Sequence, residues 1–489
     1  MQVIKFKNIS YEKAIIIYCY ILTVNVLSAH QNSRLIVLTD IECEQDDTQS
    51  MIRLLLYSNQ IDIKGLVATT SIWKKTNPET RSIFELIDAY KQVRANLNRN
   101  EKGFPSSKYL KSIVCAGQTE FGMSAIGDNM DTEGSNLIIK ELEKNDSRPL
   151  WISVWGGVNT LGQALYTIKK TRTKSEAKRL ISKLRVYTIS DQDDSGVWIR
   201  NNFPNLFYIV SPTGDYGRSI WVAMNMYVKG IDNKTISNSW LLKNIQQDHG
   251  PLGALYRDVA YGMEGDTPSF LGLIPNGLNY YEHPNWGGWA GRYELYKPKY
   301  KHYKSSSQPG MPDDHETRAI WTNASDTVYM YDNQDYGRTK KLTKRFFYGD
   351  KVTIWRWRDD FQNDFAARMD WCVKSYKDAN HPPIVKIKGD TSDSKDVYRV
   401  TVRSGTGLSL DAGQSFDPDG DHLSFLWLDY SEAGNLGKRL FHDAQISQRI
   451  YLLFPKVSKT CTTQIILKVI DHGKPSLTRY KRIIVTVEK

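Results

Sequence analysis

Five carboxylates fall within eight residues, at Asp40, Glu42, Glu44, Asp46 and Asp47. They follow an apolar run, Leu35-Ile-Val-Leu-Thr39, and precede an amphipathic stretch that begins at Thr48. Like charges this close repel strongly in a low-dielectric cleft unless they are protonated or neutralised. A hard divalent cation removes the conflict. Calcium suits it best, because it takes roughly six to eight oxygen ligands and tolerates irregular geometry. A helix opening behind the run also presents its positive N-terminal dipole to Asp46 and Asp47. The same residues also suit a solvated acidic loop whose last two aspartates cap that helix, the less favoured of the two readings.

Other segments could recognise a ligand. Ser190-Asp-Gln-Asp-Asp194 closes a second apolar run, so Asp191, Gln192, Asp193 and Asp194 could meet sugar hydroxyls, with Trp198, Arg200 and Asn201 just beyond. A polar turn and helix cap explain them as well. Tyr280, Tyr281, Trp286 and Trp289 flank a glycine-rich stretch containing His283. Aromatic rings pack on the apolar faces of sugars while polar neighbours fix the hydroxyls, although core packing accounts for such rings too. Trp355 and Trp357 read as core. Asp417, Asp419 and Asp421 could chelate calcium, but a turn between strands is the simpler explanation. The cysteines at 19, 43, 115, 372 and 461 show no CxxC pair and no metal-ligand spacing, which argues against zinc or a disulfide scaffold.

These residues need a frame. Continuous apolar runs at Leu35–Thr39, Ile63–Thr69, Leu150–Val154, Leu184–Ile189 and Leu206–Val210 match parallel strands buried on both faces. Helical patterns lie between them, at Thr48–Tyr57, Arg81–Asn96, Ser135–Leu142 and Leu161–Ile168. The alternation predicts an α/β doubly wound, mostly parallel sheet, whose ligands bind at the carboxyl ends of the strands. An aromatic-rich, irregular region follows and closes with a helical pattern at Asp360–Tyr376. After His381-Pro-Pro383 the texture changes to short strands separated by Gly, Asp, Pro and Ser, as in an all-β sandwich. The expected organisation is a signal segment at 1–29, an α/β domain at 30–380 and a β-sandwich at 381–489.

The signal segment rests on Lys5, Lys7 and Lys13 before a short apolar run from Ala14 to Leu27, closed by Ser28 and Ala29. That run is short for a membrane span, which needs about 20 apolar residues, so export without a stable span is expected. The net charge is +11, but the basic residues are interleaved with acidic ones. A solvated basic face explains them, and no nucleic-acid partner is expected.

The spacing Asp40-x-Glu42-x-x-x-Asp46-Asp47 resembles the D-x-D-x-x-x-D-D signature of nucleoside hydrolases. With Gly65-Leu-Val-Ala-Thr-Thr70, Trp155-Gly-Gly-Val-Asn-Thr160, Glu264-Gly-Asp-Thr-Pro-Ser269 and Trp286-Gly-Gly-Trp-Ala-Gly-Arg292, it resembles more specifically the exported bacterial nucleoside hydrolase-like family. Members of that family are often labelled cellulose-binding. The Asp411–Asp421 segment and the strands after it resemble Ig-like sandwich modules. The resemblance implies a metal held by Asp40, Asp46, Asp47, the distal Asp266 and the backbone carbonyl of Asn159. It also implies a catalytic carboxylate, with Glu42, Glu44 and Asp46 as the candidates. Two departures stand out. Glu42 replaces the aspartate that serves as general base, and Gly265 replaces the histidine before the distal aspartate.

The function expected from all this is calcium-dependent hydrolysis of an N- or O-glycosyl bond in an extracytoplasmic carbohydrate or glycoside. Two alternatives stand beside it: a carbohydrate-binding protein without turnover, and an authentic nucleoside hydrolase.

Overall fold

Four consecutive side chains, Leu35, Ile36, Val37 and Leu38, are fully buried on the strand that leads to the acidic run. Leu35 and Val37 join one hydrophobic cluster and Ile36 and Leu38 another, so this strand has a core on each face. Burial of each such side chain contributes about 1.5–3 kcal/mol. A slip of one residue would exchange the two faces, so the register is fixed. Fixing it fixes where Asp40 emerges.

The chain is seen here in a computed structural model that describes residues 31–211, 219–260, 262–299, 316–331, 344–442 and 444–489. The expected signal segment, 1–29, lies outside the described residues. Strand β1 (Ser33–Thr39) sits within an eight-stranded sheet with β2 (Ile61–Ala68), β3 (Val114–Ala116), β4 (Leu150–Val154), β5 (Leu184–Thr188), β6 (Phe207–Val210), β7 (Tyr293–Tyr296) and β8 (Ile320–Asn323). Their order is β3-β2-β1-β4-β5-β6-β8-β7. All neighbours pair in parallel except the edge strand β7, which runs antiparallel to β8. Helices α1 (Gln45–Leu56) and α2 (Arg81–Asn100) pack on one face; α3 (Glu133–Glu143), α4 (Asn159–Thr171) and α5 (Ser195–Asn202) pack on the other. This is the doubly wound, mostly parallel α/β architecture. The strand order reverses between β1 and β4, and the crevice at their carboxyl ends is where such folds bind ligands.

Three strands of this sheet have no clear counterpart in the sequence pattern. β3 has only three residues, and β7 and β8 are four-residue strands with polar positions in a sheet otherwise built of apolar runs. The helical pattern near 360 forms α6 (Arg358–Asp370), which ends earlier than Tyr376.

Strands β9 (Asp326–Tyr331) and β10 (Lys344–Gly349) form a separate antiparallel pair. The last part of the chain is all β. It has a four-stranded sheet of β11 (Tyr398–Arg403), β16 (Thr478–Glu488), β15 (Cys461–Asp471) and β13 (Leu423–Asp429), and a two-stranded sheet of β12 (Gly407–Asp411) and β14 (Arg449–Leu453). Leu410 and Ile450 from one sheet and Trp427, Ile465 and Val485 from the other share one core. On the connection between β12 and β13, Asp417 accepts hydrogen bonds from the backbone N–H groups of Asp419 and Asp421 at 2.8 and 3.2 Å, and Asp419 accepts one from His381 N at 2.6 Å. These aspartates serve a turn.

Helix α6 is buried between the two parts. Asp364 pairs with Arg479 at 2.6 Å, and Asp360 accepts the Tyr480 hydroxyl and pairs with Lys468 at 2.7 Å. Ser33–Lys489 thereby forms one compact unit. No helix among the described residues is long and apolar enough to cross a membrane.

Candidate metal centre and its cavity

Chain geometry at the end of β1 builds the site. Thr39, its last residue, donates its hydroxyl to Asp47 and accepts the N–H of Ile41 at 3.1 Å, which closes the loop back on itself. Glu44 is the residue before α1, so Asp46 and Asp47 fall in that helix's first turn. Asp40 is buried beside the loop after β4. A Cβ on Gly156 would lie 2.6 Å from an Asp40 carboxylate oxygen and 2.7 Å from its carboxyl carbon. Only glycine permits that approach.

From far along the chain, Asp266 joins them. Ligand atoms of Asp46, Asp47 and Asp266 lie within 4.8 Å of one another, and no other such group of three occurs among the described residues. Asp266 is only 2% exposed, and its Oδ2 is buried with no hydrogen-bond partner. A buried carboxylate oxygen without a partner is costly. Burial first, then the neighbouring carboxylates, raises the proton affinity of the cluster. Asp46 is pushed up to about 7, and Asp47 and Asp266 rise well above the usual carboxylate range. Burial raises Asp40 as well. An all-oxygen, crowded and partly unpartnered donor set fits a hard divalent cation.

The carboxylates face a small inner chamber walled by Trp73, Trp155, Trp221 and Gln192. A larger cavity of about 480 Å³ borders the same loop, lined by Glu42, Glu44, Asp46 and Arg257 among others. Glu44 lines both spaces. Burial and then Asp40 raise its proton affinity. Glu42 is exposed, adopts a left-handed backbone (φ +72°), and borders only the outer cavity of the two.

The other candidate residues separate. Asn159 opens α4; its amide donates to Thr70 Oγ1 at 3.1 Å and Glu120 O at 2.8 Å, and it does not line the inner chamber. Of the 190–194 loop, only Gln192 lines that chamber. Its amide nitrogen donates to Trp155 O, and its Oε1 is buried without a partner. Asp191 is fully engaged by Arg200 at 2.9 and 2.7 Å. Asp193 accepts from Ser195 N, Ser195 Oγ and Asn159 N. Asp194 accepts from Met123 N at 2.7 Å. Trp198 packs against Phe203, and Asn201 is an exposed acceptor for Thr317. These are turn, cap and ion-pair roles. His283 stacks on Trp286 at 4.0 Å between ring centroids. The neighbouring Tyr281 stacks on Trp151 near the start of β4, and Glu282 pairs with Arg185 near the start of β5. Both aromatic candidates therefore lie towards the amino ends of the strands, away from the acidic cluster. Trp289, Trp355 and Trp357 are core.

Of the chamber's aromatic walls, Trp155 opens a motif legible in the sequence, whereas Trp73 and Trp221 belong to none. Trp73 follows β2, immediately beside β1, and the rule that carboxyl-end loops bear ligand sites was the available signal. Trp221 explains Gly265: a Cβ there would lie 2.9 Å from the indole and 2.8 Å from an Asp46 oxygen.

Residues 34–293 match the family model described as "Cellulose-binding Sde182, nucleoside hydrolase-like domain". The chain belongs to this family. Residues 407–487 of this Sde182-type chain match a second model, "Cellulose-binding protein Sde0182, C-terminal domain". A solved structure from Saccharophagus degradans is 33% identical, with a TM-score of 0.76, across 94% of this chain and 100% of that one. It is described as a nucleoside hydrolase-related hypothetical protein associated with carbohydrate metabolism. A mouse PcdhgC3 EC1-3 structure matches at 11% identity and a TM-score of 0.12, over 34% of this chain and 42% of that one, a level that carries no argument. No curated protein matches the chain.

Proposed function

We propose that this protein is an exported, calcium-dependent hydrolase that cleaves the glycosyl bond, N- or O-linked, of a carbohydrate-type substrate. One observation carries the proposal: Asp46, Asp47 and Asp266 converge with a buried, unpartnered Asp266 oxygen among them. Membership of a nucleoside hydrolase-like family described as cellulose-binding supports a sugar substrate. The basic, apolar and small-residue layout of 1–29 supports export.

A divalent cation held there would chelate sugar hydroxyls and polarise the reacting centre. The chain's own groups do the rest. Glu44 accepts the proton of the attacking water, its raised proton affinity bringing it nearer to what a base needs at neutral pH. Gln192 Oε1 accepts a hydrogen bond from a sugar hydroxyl. Trp73, which lines the chamber and is 48% exposed, offers an apolar face to the ring. Ionised carboxylates around the chamber stabilise the positive charge that develops at the anomeric carbon.

Carbohydrate binding without turnover is the second reading, favoured by the outward placement of Glu42. A screen of the full chain with calcium against aryl glycosides, oligosaccharides and nucleosides separates them. Calcium-dependent turnover that vanishes in Asp47→Ala and Asp266→Ala supports hydrolysis. Turnover that survives both substitutions refutes the mechanism, whereas binding without turnover leaves the second reading. Release of free base from inosine or uridine would identify a nucleoside hydrolase.

A further inference from the structure

Two residues before Asp266 stands a group that the proposed chemistry does not use. Glu264 is fully buried and adopts φ +50°, a region that non-glycine residues rarely occupy. Its Oε1 accepts from Arg53 Nη2 at 3.0 Å and the Tyr256 hydroxyl at 2.6 Å. Its Oε2 accepts from Arg53 Nε and the Thr267 hydroxyl at 3.0 Å. Each oxygen thus has two donors, so Glu264 is not itself placed to ligate an ion.

The donors reveal what the residue does. Arg53 lies on α1, the helix whose first turn holds Asp46 and Asp47. From the same helix, Gln49 Oε1 accepts the Glu264 N–H at 2.9 Å, and Ser50 Oγ meets the Thr267 hydroxyl at 3.0 Å. Gln49, Ser50 and Arg53 are all fully buried. The turn bearing Asp266 is therefore fastened at three points to the helix bearing its two carboxylate neighbours. On its other side Arg53 donates to Phe361 O at 3.0 Å and to Gln362 Oε1, so α6 braces the guanidinium. Three carboxylates within 4.8 Å repel, and an opposing restraint is needed to keep them together.

We propose that Glu264, held by Arg53, is a positioning residue that fixes Asp266 against Asp46 and Asp47, so that the donor set is assembled before a cation arrives. This rests on the cation-binding reading above. Groups that orient metal ligands typically contribute about 10- to 100-fold to metal affinity.

Calorimetric titration of the full chain with calcium chloride tests it. Glu264→Gln is expected to weaken binding by about 10-fold or more. Tyr256→Phe and Thr267→Val, which each remove one hydrogen bond to Glu264, are expected to weaken it less; these two decide the matter if Glu264→Gln fails to fold. In an Asp266→Asn background, the Glu264 substitution should cost little further affinity, because its effect passes through residue 266. A loss of equal size in both backgrounds, or wild-type affinity in all three single variants, overturns the proposal. Absence of heat from the wild type with calcium, magnesium and manganese overturns the cation reading itself, and this inference with it.

Discussion

Replacing Asp266 with asparagine should strengthen the metal-free protein and weaken the calcium-loaded one. The magnitude follows from the cluster. The ligand atoms lie within 4.8 Å of one another, and at that outer limit and an effective dielectric of about 20, two unit charges interact by 332/(20 × 4.8), or about 3.5 kcal/mol at least. Asp266 has two such neighbours. Proton uptake by the cluster relieves much of that repulsion at neutral pH, leaving about 1–3 kcal/mol for the substitution to release. In EDTA, Asp266→Asn should therefore melt roughly 1–3 °C above the wild type, because a cooperative unit of this length has an unfolding entropy of about 1 kcal/mol/K. Calcium at about 100 times its dissociation constant stabilises the wild type by about 2.7 kcal/mol through mass action. The variant, short of one anionic ligand, gains far less, and the order of melting temperatures reverses. Differential scanning calorimetry with and without calcium measures both. If Asp266→Asn melts below the wild type in EDTA, the carboxylates are not in electrostatic conflict and the case for a cation is lost.

Further outcomes follow from the same geometry. Asp46 has its proton affinity raised to about 7 by burial, then by Glu44 and Asp40. A raised carboxyl contributes stability below its ordinary value of 3.8 and loses it as pH rises through about 7, so metal-free melting temperatures should fall across that window. Calcium should restore them at about pH 8 and do little at about pH 5. Gly156→Ala would drive a Cβ into the Asp40 carboxylate; about 1–3 kcal/mol of destabilisation and weaker calcium binding are expected, by denaturant unfolding and titration. Arg482 is buried and donates to the carbonyls of Leu278, Trp286 and Gly287. Arg482→Met should lower stability by about 3 kcal/mol or more in the same unfolding assay, because several acceptors lose their donor.

The parallel strands were legible because both their faces are buried, which writes an unbroken apolar run into the chain. Asp40, Asp46 and Asp47 were legible as a group because they are local in sequence. Asp266 was not, since nothing near residue 266 encodes its distance from β1; family resemblance alone singled it out. The outward turn of Glu42 depends on a left-handed backbone that an acidic string does not announce. Four polar residues in a row at Asp191–Asp194 likewise hide which one faces inward, and only Gln192 does. His283 and Trp286 sit among the residues a sugar platform would need, yet the path of the chain takes them to the opposite ends of the strands.

Helix α6 has an implication for how such proteins are assembled in evolution and in the laboratory. Its Asp360 and Asp364 reach the terminal strands, while Phe361 and Gln362 meet the guanidinium behind the acidic chamber. A module joined in this way is no interchangeable bead on a string. Splicing the last hundred or so residues onto a foreign partner, as glycan-targeting tags are commonly shuffled, would leave ionised groups stranded at both cut surfaces.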